Sequence, residues 1–175
     1  MVFDPLYNLV DYLISPAQIN TNQEDTANKI AIKIIDSLQM VGILAVEMFL
    51  TKSGEILVNE IAPRPHNSGH QSIKANITSQ YEQHWRAILG LPLGSTNAHK
   101  LSAMVNILGS NGFEGEAIYV GLQDMLKQEG VHVHLYGKKM TKPSRKMGHI
   151  IIIDNNLNSL QQKVQLVKET VKVIA

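Results

Sequence analysis

Apolar and polar positions change period several times along this chain, and each change predicts an element. From Ala27 onward, Ile30, Ala31, Ile34, Ile35 and Leu38 recur three and four apart, the spacing of one helical face. Thr21 and Glu24 fit a capping box ahead of them, and Gly42 closes the segment, so an amphipathic helix of about four turns is expected. Two short apolar runs follow, ILAVEMFL at 43–50 and EILVNEI at 55–61, separated by TKSG. Runs of that length around a Gly-containing turn predict an antiparallel hairpin. With Ser53-Gly54 as a two-residue turn, Lys52 faces Glu55. The same register sets Glu47 opposite Glu60, with Cβ atoms roughly 5 Å apart.

Ser79 and Glu82 make a second capping box, with Tyr81, Trp85, Ile88 and Leu89 on one helical face and Gly90-Leu91-Pro92 as the stop. The stretch LPLGSTNAHK reads as a linker. Beyond it the pattern predicts a strand near 101–108, a GSNG turn and a helix near 116–128. Strands near 131–136 and 148–154 come next, then a closing helix from about Ser159 with Leu160, Val164, Val167 and Val171 at helical spacing. Residues 1–19 read as irregular, because Pro5 and Pro16 limit regular structure. Two domains are expected, 1–93 and 94–175.

Composition narrows the class. With 175 residues and 44% hydrophobic content, the chain can bury a core. A net charge of +1 without a dense Lys/Arg run argues against a nucleic-acid surface, while leaving room for a few cations that hold one phosphate. The absence of cysteine excludes disulfides and thiolate metal sites. The first residues are only briefly apolar, carry Asp4 and Asp11, and read as neither signal peptide nor membrane span, so a cytoplasmic protein is expected.

The hairpin and its exit carry the chemistry. Two carboxylates facing each other repel and lose solvation when partly buried, an arrangement that makes sense around a divalent cation. Mg²⁺ takes hard oxygen ligands, and Asn59 could add an amide oxygen; the plain alternative is that one glutamate points to solvent. The exit APRPHNSGH holds Arg64 between two prolines, on a stiffened backbone suited to bidentate binding of phosphate or carboxylate. An ordinary surface ion pair is the competing reading for Arg64. Ser68-Gly69 permit close backbone approach to a ligand. His66 and His70 form an H-x₃-H spacing, but Pro65 and Gly69 argue against the helix that would align them on zinc.

These residues are long and specific enough to compare with known proteins. VGILAVEMFLTKSGEILVNEIAPRPHNSGH, then TSQYEQHWRAILGLPLG, and near the end YGK and RKMGH resemble the N5-carboxyaminoimidazole ribonucleotide synthase family of ATP-grasp enzymes, from about Ser15 onward. The resemblance implies an α+β fold: the C-terminal part of an ATP-grasp domain, an antiparallel sheet with packed helices, followed by a small strand-rich domain. It implies ATP-dependent joining of bicarbonate to 5-aminoimidazole ribonucleotide through carboxyphosphate, in purine biosynthesis. ATP and Mg²⁺ (or Mn²⁺) would be the cofactors. Glu47 and Glu60 would hold the metal on the ATP phosphates, with Asn59 in the same nucleotide site. Arg64, His66 and Asn67 would lie where bicarbonate, carboxyphosphate and ribonucleotide meet. Lys138 and Arg145 would bind the ribonucleotide 5′-phosphate.

The resemblance has departures. Near the start, Asn8 aligns with a family Asn-x-His element, but Val10 stands at the histidine position. The loop after Lys138 lacks the family's acidic and glycine residues. The N-terminal half of the fold, with its nucleotide-clamping lysines, has no counterpart here. A C-terminal portion, inactive alone and completed by that missing half, is therefore expected, with a homodimer and without nucleic acid or membrane. A non-catalytic fragment that binds ribonucleotide phosphate or dimerises is the alternative. A related formate-dependent transformylase is another, disfavoured because Asn67-Ser68-Gly69-His70 replaces its Asp-Thr-Gly.

Overall fold

The structure, a computed structural model, describes residues 2–4 and 9–175; Pro5 and Asn8 lie outside them. In chain order the elements begin with β1 (Val2–Asp4), β2 (Leu9–Ser15), α1 (Thr21–Ser37), β3 (Ala45–Leu50), β4 (Ile56–Ala62), α2 (Ser72–Ala75) and α3 (Gln80–Ile88). They continue as β5 (Leu101–Leu108), β6 (Gly115–Glu116), β7 (Ile118–Val120), α4 (Leu122–Leu126), β8 (Val131–Leu135), β9 (Met140–Thr141), β10 (Lys146–Asp154), α5 (Leu157–Thr170) and β11 (Lys172–Ile174). Two compact units result, Ala17–Asn97 and a second made of Met1–Pro16 with Ala98–Ala175. A division at 93/94 would leave the N-terminal residues in the first unit. Strand pairing puts them in the second, because β2 joins β5 from Tyr12↔Val105 to Ser15↔Ser102.

The second unit is built on an antiparallel sheet in the order β1-β2-β5-β10-β8. Residues 1–19 are therefore not irregular throughout. Pro16 falls just past the end of β2, where it interrupts no ladder bond, and Leu13 is buried. Strand alternation sends Ala103, Val105, Ile150 and Ile152 to one face, where α5 covers them with Leu160, Val164 and Val167. The helix expected near 116–128 is instead two short strands and the five-residue α4. Ile118-Tyr119-Val120 pairs with β11, and Gly121 at φ 80° turns the chain before α4 begins.

In the first unit, α1 is capped one residue earlier than its sequence indicates. Asn20 Oδ1 accepts from the Gln23 N–H at 3.0 Å, and Gln23 Oε1 accepts from the Asn20 N–H at 3.0 Å. The helix ends at Ser37, with Gln39 at φ 49°, so Gly42 lies beyond its stop. No residue of α1 is fully buried, because the sheet facing it, β3-β4, is only two strands wide. At α3, Ser79 Oγ accepts from the Glu82 N–H at 3.2 Å, whereas the Glu82 carboxylate turns to Arg86 at 2.6 Å. Among the described residues no helix is long and apolar enough to cross a membrane.

Candidate active site

The site begins with the register of the hairpin. Glu47 pairs with Glu60, as the spacing indicates, but the turn is not the two-residue one. The Thr51 N–H donates to the Glu55 carbonyl at 2.9 Å, leaving Lys52-Ser53-Gly54 as a three-residue loop with Gly54 at φ 86°. Leu50, Phe49 and Met48 then face Ile56, Leu57 and Val58, a register one residue off. A bulge between Glu47 and Met48 absorbs the difference, with Asn59 as the extra residue on β4. Without it Glu60 would alternate onto the opposite face, toward α1. The bulge turns Glu60 to the face of Glu47 and sets exposed Asn59 beside it.

The chain then leaves through Pro63-Arg64-Pro65. Arg64 is exposed, and its Nη1 donates to the Pro65 carbonyl at 3.1 Å. His66 and Asn67, both half-buried, start a single 3-10 turn, Asn67–Gly69. The His66 ring lies against Glu47, Nδ1 to Oε1 3.6 Å, with both side chains only about one-seventh exposed, 14% and 15%. His66 Nδ1 is also 2.9 Å from Ser68 Oγ. His70 turns elsewhere: its Nδ1 stands 2.7 Å from the Tyr81 hydroxyl and 3.2 Å from Gln80 Nε2. The two histidines of the H-x₃-H spacing thus serve different partners and do not form a zinc pair. Burial pushes the Tyr81 phenol above its ordinary pKa, with the Gln80 side chain opposing.

Glu47, Glu60 and His66 each offer one ligand atom, and these atoms lie within 4.8 Å of one another. Around a cation bound at about 2.1 Å, opposite ligands stand about 4.2 Å apart, so small side-chain movements would close all three onto one ion. Two carboxylate oxygens suit Mg²⁺ or Mn²⁺, and the donor set fits. Sequence reasoning placed His66 by the substrate; the structure adds that its ring nitrogen lies within 4.8 Å of the Glu47 and Glu60 oxygens. Sequence reasoning missed Gln80, whose amide holds both sides of the His66 backbone. A glutamine at the first helical position gives no such signal.

Lys138 and Arg145 belong to the second unit. Lys138 Nζ donates to the Lys146 carbonyl at 2.6 Å, pinning the ammonium one residue from Arg145, and lies 5.7 Å from the Tyr136 ring centroid. The backbone around Arg145 is tied to Gly109: the Gly109 N–H donates to the Arg145 carbonyl at 2.9 Å, and the Ser144 N–H to the Gly109 carbonyl at 3.0 Å. A Cβ on Gly109 would collide with the Lys142 carbonyl, so glycine permits this approach. The Tyr136 hydroxyl lies 3.1 Å from Nδ1 of buried His149.

Both units match known protein domains. Residues 7–81 match the ATP-grasp domain, so the first unit has the architecture of the ATP-grasp class. Residues 102–163 match the phosphoribosylaminoimidazole carboxylase C-terminal domain. The chain belongs to the N5-carboxyaminoimidazole ribonucleotide synthase family and corresponds to a C-terminal portion of it. It is 46% identical over 143 residues to N5-carboxyaminoimidazole ribonucleotide synthase of Bacillus subtilis, covering 82% of this chain and 36% of that protein. The crystal structure of the synthetase from Thermotoga maritima is 49% identical, with a TM-score of 0.91 over 94% of this chain and 46% of that one. That of the synthase from Aspergillus clavatus in complex with ADP and 5-aminoimidazole ribonucleotide is 30% identical, with a TM-score of 0.83 over 93% and 44%. The chain therefore spans less than half the length of these relatives.

Proposed function

We propose that this chain supplies the C-terminal part of the active site of an ATP-dependent carbon–nitrogen ligase. The reaction joins bicarbonate to 5-aminoimidazole ribonucleotide and gives N5-carboxyaminoimidazole ribonucleotide in purine biosynthesis. The observation that carries this reading is the convergence of Glu47, Glu60 and His66, with His66 two residues past the proline-framed Arg64, in a chain of this family. Glu47 and Glu60 hold Mg²⁺ or Mn²⁺, with Asn59 in the same nucleotide site. When bound, the metal neutralises charge on the ATP phosphates. A bicarbonate oxygen displaces ADP from the γ-phosphorus, forming carboxyphosphate. The ribonucleotide amine then takes the carboxyl carbon, phosphate leaves, and the amine gives up a proton. Arg64 offsets the charge that builds on the transferring oxygens, while Asn67 orients bicarbonate and His66, beside the metal pair, orients it and receives its proton. Lys138 and Arg145 grip the 5′-phosphate.

Because relatives are more than twice as long, the remaining nucleotide contacts come from polypeptide outside these 175 residues. The working enzyme is a homodimer of the cytoplasm. Calorimetry on this chain tests the reading. Aminoimidazole ribonucleotide should bind, and its dephosphorylated nucleoside should bind at least about tenfold more weakly, because the charge-assisted contacts to Lys138 and Arg145 are lost. Equal affinity for the two, or binding of neither, would overturn the proposal.

A further inference from the structure

We propose that Gln80 is the positioning residue of this site, acting through the His66 backbone. The inference rests on the proposed function, with Glu47 and Glu60 holding the metal and His66 beside them. Gln80 Oε1 accepts from the His66 N–H at 2.9 Å, and Gln80 Nε2 donates to the His66 carbonyl at 2.8 Å. One carboxamide thereby satisfies both backbone groups of His66, as a neighbouring strand would. Pro65 and the 3-10 turn leave His66 without that strand. Gln80 is itself fixed, since its N–H donates to Ser72 Oγ at 2.9 Å and Ser72 Oγ donates to the Gly69 carbonyl at 2.6 Å.

Gly69 completes the device. A Cβ there would meet the Gln80 Cδ at 2.7 Å and overlap Oε1. The group that approaches Gly69 closely is thus the Gln80 carboxamide, not a ligand as the sequence indicates. A ring that borders a metal pair keeps its place only as well as its backbone is held, and outer-shell partners tune metal affinity by about 10–100-fold. Gln80 sets the His66 backbone, the His66 ring lies 3.6 Å from Glu47, and Glu60 completes the group.

The test uses Mn²⁺ binding to the 175-residue chain, followed by electron paramagnetic resonance, and the His66 ring signals in long-range ¹H–¹⁵N NMR spectra. Gln80→Ala should weaken Mn²⁺ at least about tenfold and shift or broaden the His66 ring signals. Gln80→Glu keeps the acceptor for the His66 N–H but loses the donor, so it should fall between Gln80→Ala and the wild type. A role in folding alone would lower stability in urea unfolding and leave the Mn²⁺ affinity of the folded chain unchanged. Gly69→Ala pushes the carboxamide aside without removing it, and should reproduce the Gln80→Ala effect even if Gln80→Ala itself unfolds the first unit. Wild-type Mn²⁺ affinity and unmoved His66 signals in both Gln80→Ala and Gly69→Ala would overturn the proposal. If the wild type takes up no Mn²⁺, the metal reading fails instead, and the His66 signals alone decide for or against Gln80.

Discussion

Lys138 shows how a single side chain can be prepared for an anion. Its ammonium already spends one proton on the Lys146 carbonyl and lies near the Tyr136 ring, so little rotamer freedom remains to be lost on binding. Arg145 brings a planar fork instead of a point charge, on a loop tied to Gly109. The two substitutions should therefore differ in kind. If Lys138 and Arg145 grip the 5′-phosphate as proposed, Lys138→Met should weaken aminoimidazole ribonucleotide by about 10–100-fold, the equivalent of about 1.5–3 kcal/mol. Arg145→Lys retains the charge and loses the bidentate geometry, so a smaller loss of about tenfold is expected. Calorimetry on both variants checks the order. A larger effect from Arg145→Lys would show that fork geometry, not charge, dominates the grip. At this scale the sequence was informative only where residue type implies chemistry. Arg64 between prolines advertises itself, but Gln80 does its work through an amide that any surface glutamine also carries.

Elements were legible where one periodicity ran unbroken, as in β5 over Leu101–Leu108 and α5 with Leu160, Val164 and Val167. They were misread where local signals competed. Glu116 to Gln128 carries polar residues at helical spacing, yet Ile118-Tyr119-Val120 pairs as a strand because β11 offers it an edge. The Glu47–Glu60 pairing came out as expected through two departures that cancel. The three-residue turn shifts the register by one, and the Asn59 bulge shifts it back. Neither is visible in an apolar pattern, because both depend on backbone geometry.

The start of α5 also rests on polar groups. Asp154 accepts from the Asn156 N–H at 2.9 Å, from Ser159 Oγ at 2.7 Å and from Lys163 Nζ at 2.8 Å. The Lys163 bond, then those from Ser159 and Asn156, hold its carboxyl well below the ordinary carboxylate range. A depressed folded-state pKa means stability that is fully present above the unfolded value of about 3.9 and is lost as pH falls from there toward the folded value. Asp154→Asn should cost about 1–3 kcal/mol in urea unfolding at pH 7. The gap between variant and wild type should narrow steadily below about pH 4. A gap that stays constant from pH 7 to pH 3 would contradict this account.

Across the whole chain, apolar burial is distributed unevenly between the two units. Among the described residues, every buried hydrophobic side chain except Ala75 belongs to Met1–Pro16 or Ala98–Ala175. The unit Ala17–Asn97 leaves Val41 68% exposed, Ile77 64%, Trp85 60% and Leu93 66%, and its hairpin has two strands and no more. An isolated two-stranded hairpin is marginal in water, and a helix with no fully buried residue adds little to it. The candidate metal ligands thus sit on the less stable unit, where binding energy has most to stabilise. Hydrogen exchange should resolve two populations: slow amides in β5 and β10, and much faster ones in α1, β3 and β4. Mn²⁺ at a hundredfold excess over its dissociation constant should slow the second population alone, by up to about 2.7 kcal/mol of added protection. Glu60→Gln should abolish that slowing while leaving β5 and β10 unchanged. Exchange at a single common rate, or equal protection of both units by the ion, would mean that the chain unfolds as one body and that the site is not confined to its weaker half.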